Sequence, residues 1–189
     1  MSSKTLTPPF EELSVRLLSR LLVVVTTALA LFAATSAPAG AAGDDYPWRT
    51  DTTQSADRWG FTKRQCVSFV AWRMAQRNHP LSNASQKWGS ALTWDDTARR
   101  LGYGIGSEPV PGSIAHWNAG EAGAYYSSGS TRPNGTMRAG SYGHVGYVQG
   151  VYADGSVSVA HYNMNGNRSY STSRVKAPRY LYVSVATPR

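Results

Sequence analysis

The chain of 189 residues contains a single cysteine, Cys66, in the stretch FTKRQCVSFVAWRM. A thiolate is a strong nucleophile toward peptide-like carbonyls, and it needs a base nearby. The candidates for that base are the four histidines, His79, His116, His144 and His161. A cysteine, a histidine and a polar group that orients the histidine form the arrangement of a thiol acyl-transfer enzyme. The alternative interpretation is that Cys66 is a small apolar residue of the core.

The residues around Cys66 predict a helix that begins just before it. Thr62 and Gln65 have the T-x-x-Q spacing of a capping box. Apolar residues recur at i, i+3, i+4 and i+7 over positions 67–74, which gives the helix one apolar face, and the helix ends before Pro80.

A cysteine at such a helix start is predicted to be reactive. Backbone N–H groups and the helix dipole stabilise negative charge in the first turn and so lower the pKa of a thiol there. Lys63 and Arg64 lie close before Cys66 and add positive charge in the same direction.

Two of the histidines lie on strands that are predicted to form a hairpin. The segments HVGYVQGVY and SVSVAHYN are joined through Asp154 and Gly155, a typical hairpin turn. A tight turn would place His144 and His161 about level on neighbouring strands. A strand packed across the cysteine helix would bring His144 to the sulfur, whereas His79 follows the far end of that helix.

The remaining elements predict an α+β fold. A second helix is expected over residues 93–102, with acidic residues at its start and basic residues at its end. The segments GSIAHW and YLYVSV are predicted to be strands. Helices followed by antiparallel strands are typical of α+β domains.

A glycine- and serine-rich segment separates Trp117 from Gly143 and predicts a loop of about 25 residues. A loop of that length is either functional or a disordered surface excursion. In the functional interpretation, Tyr125, Tyr126 and Arg138 would line a substrate groove.

The N-terminus predicts export. Three basic residues precede the apolar run LLVVVTTALALFAATSA and the small-residue stretch PAGAAG, a pattern typical of a cleaved signal peptide. We therefore predict a signal peptide over 1–42 and one domain over 43–189. A membrane anchor is the rival interpretation, since the uncharged run is close to the shortest spanning helix of about 17 residues. After cleavage we expect a secreted, cell-wall-associated monomer with no stable membrane association.

The net charge is +8, and it becomes +7 without residues 1–42, which contain three basic and two acidic residues. A basic exported chain suits anionic surfaces such as cell-wall polymers. Because the basic residues are scattered rather than massed in a block, no nucleic-acid partner is predicted.

The chain resembles the CHAP family of cysteine- and histidine-dependent amidohydrolases and peptidases. The resemblance lies in four segments and their order along the chain: WGFTKRQCVSFVAWRM, PGSIAHW, GHVGYVQGVYADGSVSVAHYN and the final aromatic strand. The resemblance implies a papain-like α+β fold without a cofactor. It implies peptidoglycan as the partner, cut either at the amide between N-acetylmuramic acid and L-alanine or within the peptides. It also implies Cys66 as the nucleophile and His144 as the general base.

The third site position departs from the family pattern. Where many members have a glutamate, one residue and an asparagine, this chain has His161, Tyr162 and Asn163. A second imidazole stabilises a protonated His144 poorly. We expect Asn163 to orient His144 through its side-chain carbonyl, with His161 in support; the alternative is that neutral His161 accepts the ring N–H.

The rest of the site follows from the implied mechanism and from the positions of the remaining residues. The Cys66 backbone N–H would hold the oxyanion, and the Gln65 side chain would help only where the capping box leaves it free. The tryptophans are expected to be mostly core residues, although Trp59 and Trp117 would flank the groove and could stack on sugar. No metal is predicted, because the aspartates before the helix are spread out and lack the dense alternation of a calcium loop. These aspartates are Asp44, Asp45, Asp51 and Asp57.

Two other function classes fit part of the pattern. A non-catalytic wall-binding protein would fit the basic charge and the missing glutamate. A secreted cysteine protease or transferase acting on proteins would fit the same cysteine and histidine.

Overall fold

The computed structural model describes residues 43–189, and the predicted signal peptide, 1–42, lies outside them. Four helical segments come first along the described chain. They are α1 (Cys66–Gln76), α2 (Asn83–Gln86), a 3-10 turn (Ala91–Thr93) and α3 (Trp94–Arg100). Within 43–189 no helix has the length and apolar character needed to cross a bilayer.

Eight strands follow, and they form one sheet. They are β1 (Gly104–Gly106), β2 (Ile114–Trp117), β3 (Ala122–Tyr126), β4 (Gly135–Arg138), β5 (His144–Val151), β6 (Val157–Tyr162), β7 (Tyr170–Lys176) and β8 (Arg179–Tyr182). Their order in the sheet is β1-β8-β2-β5-β6-β7-β3-β4, and every neighbouring pair is antiparallel. The predicted α+β class is confirmed.

Helix α1 packs on the centre of the sheet, against β5 and β6. Val70, Ala71 and Met74 are fully buried, as the apolar periodicity predicts. The helix ends at Gln76, and Asn78 then takes a left-handed conformation with φ of 61°. This packing places the N-terminus of α1 beside the first residues of β5.

The predicted capping box is wrong. Gln65 is the N-cap residue of α1, but its side chain makes no capping hydrogen bond. Thr62 instead forms an isolated antiparallel bridge with Ala56. The Gln65 side chain is hydrogen-bonded to Asn163, which lies 98 residues further along the chain, so a distant contact replaces the local one.

The hairpin of β5 and β6 is confirmed, as are α3 and the strands β2 and β8. The turn contains Asp154 and Gly155, and the Asp154 side chain accepts hydrogen bonds from the backbone N–H and hydroxyl of Ser156. Gly155 has a φ of +75°, which glycine adopts without strain.

The predicted long loop between Trp117 and Gly143 is wrong. The segment folds into the hairpin of β3 and β4, which extends one edge of the sheet through the pairing of β3 with β7. Tyr125 and Tyr126 lie by a separate cavity of about 500 Å³, and Arg138 donates to the backbone carbonyl of Gly120. None of the three residues lines the cavity that contains Cys66.

Candidate active site

One cavity of about 690 Å³ brings together four of the predicted site residues. Cys66, Gln65, His144 and Asn163 all contribute to its lining. They come from the start of α1, the start of β5 and the residue after β6. The sheet and the helix packed on it therefore bring together residues that are far apart in sequence.

Cys66 is the first residue of α1 and is half-buried. The first hydrogen bond of the helix runs from Phe69 N–H to the Gln65 carbonyl. The N–H groups ahead of Phe69 in the first turn therefore lack an intrahelical acceptor and can bind negative charge. The N–H groups of Val145, Val67 and Cys66 itself all act on the sulfur.

The prediction of a lowered thiol pKa is wrong for the unliganded site. Burial raises the pKa of Cys66 more than those N–H groups lower it. Lys63 is 2.8 Å from the Asp51 carboxylate, and Arg64 donates to the backbone carbonyls of Asp51 and Arg168. The two cations that were expected to lower the pKa are thus engaged with other partners.

His144 is buried at the start of β5, and its ring contacts a second imidazole. Its Nε2 lies 3.1 Å from Nδ1 of His161, and Nε2 of His161 lies 3.2 Å from the Ser173 hydroxyl. The three side chains form a hydrogen-bonded chain that runs from the cavity into the sheet. His161 thus occupies the place where a carboxylate would orient the histidine.

Both imidazoles are held in the neutral form. Burial lowers the pKa of His144 well below its usual range, and repulsion from His161 and His116 adds to the effect. Burial alone lowers the pKa of His161 to about 4. If His144 Nε2–H donates to His161, then Nδ1 of His144 is unprotonated and can accept a proton from a thiol.

Asn163 contacts Gln65 rather than His144, so the expectation that Asn163 orients His144 is wrong. Its Oδ1 accepts the backbone N–H of Arg168 at 2.8 Å, and its Nδ2 donates to Oε1 of Gln65 at 2.6 Å. The backbone of Asn163 is left-handed, with φ of 58°. The contact to His144 comes from His161, which was the alternative interpretation.

These hydrogen bonds identify the oxygen and the nitrogen of the Gln65 side-chain amide. Because a backbone N–H can only donate, Arg168 identifies the oxygen of Asn163, and Asn163 in turn identifies the oxygen of Gln65. The Gln65 Nε2 donors are therefore left available at the cavity. The competition between capping and oxyanion binding does not arise, since no capping bond forms.

The two tryptophans predicted to flank the groove do not line the cavity. Trp117 is fully buried, and its ring centroid lies 5.9 Å from that of His144. Trp59 is also buried and packs edge-on against Trp48. The prediction that they stack on sugar is wrong, because neither ring reaches the cavity surface.

The other two histidines have different surroundings. His116 is fully buried; Nε2 bonds the Ala91 carbonyl at 2.8 Å, and Nδ1 lies 3.2 Å from Arg179. His79 is exposed in the turn after α1. Neither residue lines the cavity with Cys66.

The four aspartates before α1 each have a structural partner. Asp44 accepts from Tyr162, Asp45 pairs with Arg73, Asp51 pairs with Lys63, and Asp57 accepts from Ser68 and from two backbone N–H groups. Among residues 43–189 no group of three or more potential metal ligands converges.

The fold and site define an α+β protein with a cysteine at a helix start and a histidine at a strand start in one cavity. The chain belongs to the CHAP domain family, whose model matches residues 56–163.

Curated relatives include the staphylococcal secretory antigen SsaA of Staphylococcus epidermidis, 28% identical over 127 residues, which make up 65% of this chain and 39% of the relative. The secretory antigen ssaA2 of Staphylococcus aureus is 28% identical over 114 residues, 60% of this chain and 33% of the relative. The chain thus spans well under half the length of these relatives.

A solved structure, the crystal structure of N-acetylmuramoyl-L-alanine amidase from Staphylococcus aureus, superposes with a TM-score of 0.52. The match covers 72% of this chain and 36% of that chain, at 24% identity. It supports the fold assignment.

Proposed function

We propose that the domain is a secreted peptidoglycan hydrolase that cleaves an amide bond by a cysteine–histidine mechanism. The observation that carries the proposal is the convergence of Cys66, His144 and Gln65 on one cavity. Membership of the CHAP family and the fold shared with an N-acetylmuramoyl-L-alanine amidase support the same reaction class. The relatives named as secretory antigens support export, and with it the signal peptide over 1–42.

The reaction starts from a neutral thiol and a neutral imidazole. As Sγ of Cys66 attacks the carbonyl carbon, its proton passes to Nδ1 of His144. His144 then gives this proton to the leaving amine when the C–N bond breaks, and a thioester remains on Cys66. Water, deprotonated by His144, hydrolyses the thioester and returns the site to its initial state.

The oxyanion is held by the backbone N–H of Cys66 and by Nε2 of Gln65. Asn163 acts as a positioning residue here, since its hydrogen bond turns the Gln65 amide so that nitrogen, not oxygen, is available. His161 positions His144 in the same way, and Ser173 holds His161.

The test of this function is the digestion of purified sacculi by residues 43–189, followed by mass spectrometry of the soluble products. We expect new free amines on L-alanine for an amidase, or on a stem or cross-bridge residue for an endopeptidase. Alkylation of Cys66 should stop the release. Binding to sacculi without release would instead support a non-catalytic wall-binding protein, and release from protein substrates alone would support a protease or transferase.

Replacing His161 by glutamate is expected to make the thiol more reactive at neutral pH. A carboxylate beside His144 favours the protonated imidazole, so the pKa of His144 rises and a thiolate–imidazolium pair becomes accessible. An opposite charge at this range shifts a pKa by about one to three units. The pH at which half of Cys66 reacts as thiolate should therefore fall in the glutamate variant.

The measurement is the rate of Cys66 alkylation by iodoacetamide between pH 5 and 10. This range brackets the usual histidine and cysteine pKa values of about 6.5 and 8.5. His161→Gln is the matched control, because it keeps a neutral side chain at the position and should leave the midpoint nearly unchanged. Circular dichroism identifies variants that do not fold. A folded glutamate variant with the wild-type midpoint would show that His161 does not act on His144.

A further inference from the structure

The turn before β5 holds an exposed aromatic ring at the mouth of the cavity. Gly143 N–H donates to the Gly140 carbonyl at 3.1 Å and closes the turn, and Leu92 N–H donates to the Tyr142 carbonyl at 2.8 Å. Gly143 has φ of +71°, and a β-carbon there would lie 2.6 Å from the Leu92 nitrogen and 2.7 Å from the Trp117 carbonyl oxygen. The backbone of Tyr142 is therefore clamped between the 3-10 turn and the end of β2.

The side chain of Tyr142, unlike its clamped backbone, is exposed. It is 75% exposed, and it lines the same cavity as Cys66 and His144. Tyr125, the other exposed large apolar side chain in the described part of the chain, is 37% exposed and lies away from this cavity. A ring on a fixed backbone in the same cavity as the reacting residues provides a stacking surface that is largely in place before a ligand arrives.

The cavity itself is uncharged. Its described lining contains no Asp, Glu, Lys or Arg, although the whole chain carries a net charge of +8. Apart from Cys66 and His144, its polar side chains carry amides or hydroxyls, and the hydroxyls include those of Thr62, Ser90 and Ser141. Such a lining suits a ligand segment that has many hydrogen-bonding groups and no formal charge, because a buried charge would lack a partner.

We propose that Tyr142 and the hydroxyls beside it form a saccharide subsite, which binds the pyranose ring of an N-acylated amino sugar next to the scissile amide. This rests on the proposed hydrolase function and deepens it. A pyranose offers hydroxyls to the polar lining and an apolar C–H face to the tyrosine ring. A peptide stem carries carboxylates and a free ammonium, for which the lining offers no counter-charge.

The sugar lies on the acyl side of the C–N bond that breaks. Sγ of Cys66 bonds to the lactyl carbonyl of the muramoyl group, the C–N bond to L-alanine breaks, and the amine leaves with the proton from His144. The sugar stays in the subsite as the acyl part of the thioester until water releases it.

The test compares two soluble substrates that have the same peptide, one N-acetylmuramoyl-L-alanyl and one lactoyl-L-alanyl without the sugar. Tyr142→Ala should raise KM for the sugar-containing substrate roughly tenfold, the effect of losing one aromatic contact, with kcat little changed. It should leave the sugar-free substrate unaffected. Tyr142→Phe should behave like wild type, and Tyr125→Ala serves as the control for an exposed tyrosine outside the cavity.

A second measurement does not depend on turnover. In the Cys66→Ala background, N-acetylglucosaminyl-N-acetylmuramic acid with its lactyl carboxyl amidated, and therefore uncharged as in the substrate, is titrated and followed by NMR. Removal of the Tyr142 ring should weaken its binding by a similar factor. Equal losses on both substrates would assign Tyr142 to the peptide and overturn the subsite, as would unchanged binding of the disaccharide. A wild-type protein that releases nothing from these substrates or from sacculi, but binds the disaccharide through Tyr142, would refute the hydrolase function and leave the subsite standing.

Discussion

Replacement of Cys66 by alanine is expected to lower peptidoglycan hydrolysis on the order of 10⁴-fold or more while the domain stays folded. The proposed reaction forms a bond to Sγ, and no other thiol exists in the chain to substitute for it. The residue is half-buried and begins a helix whose core contacts come from Val70, Ala71 and Met74 further along. Loss of one sulfur atom should therefore affect chemistry far more than stability.

Dye release from labelled sacculi measures the activity, and co-sedimentation with unlabelled sacculi measures binding. The alanine variant should still bind, because the cavity walls and Tyr142 are unchanged. Val67→Ala is a useful control, since Val67 is the next residue of the helix and also lines the cavity, but has no group that can react. Wild-type release by the Cys66→Ala variant would refute a thiol mechanism.

The elements that a local pattern specifies were predictable. Helix α1 has a regular apolar face, and the hairpin of β5 and β6 has alternating side chains around an Asp-Gly turn. Strand β7 was missed because its sequence, YSTSRVK, is mostly polar and contains one buried residue. The hairpin of β3 and β4 was missed for a similar reason, since its glycines and serines favour loops and its strand character depends on pairing with β7.

The site was predictable in its residue types but not in its contacts. Cys66 and His144 each start an element that is visible in the sequence, and the resemblance to the CHAP family then selected them as nucleophile and base. The partner of Gln65 could not be found, because the local capping box and the distant Asn163 compete for the same amide, and only the packed fold decides between them. The thiol pKa was mispredicted because sequence shows the neighbouring cations but not their engagement with Asp51, nor the burial of the sulfur.

The raised pKa of the Cys66 thiol and the lowered pKa values of the two imidazoles have one physical origin. A buried sulfur and two buried imidazoles all favour their neutral forms, since desolvation penalises charge. A carboxylate at position 161 would offset that penalty for His144, whereas an imidazole with a pKa of about 4 cannot. The resting site is therefore a neutral pair in which proton transfer accompanies attack, and Gln65 and the Cys66 N–H must stabilise the charge that develops on the substrate.

Replacement of His144 by alanine is expected to lower kcat by about 10²–10⁴-fold, the usual contribution of a general base. The loss should be large here, because the raised thiol pKa leaves little spontaneous thiolate at neutral pH. Without the base, the residual rate should rise steadily as pH increases toward the thiol pKa. The wild type should instead stay active below pH 6.5, the usual histidine pKa, because the lowered pKa of His144 keeps its imidazole neutral there.

The measurement is kcat on a soluble muropeptide from pH 5 to 10, a range that brackets the usual histidine and cysteine pKa values. It gives both the loss of kcat and the change in its pH dependence. His79→Ala is the matched control, since that histidine is exposed and lies outside the cavity. Added imidazole should partly restore the His144→Ala variant by occupying the space that the ring leaves, which a merely structural role would not predict. Near-normal kcat in a folded His144→Ala protein would remove His144 from the mechanism.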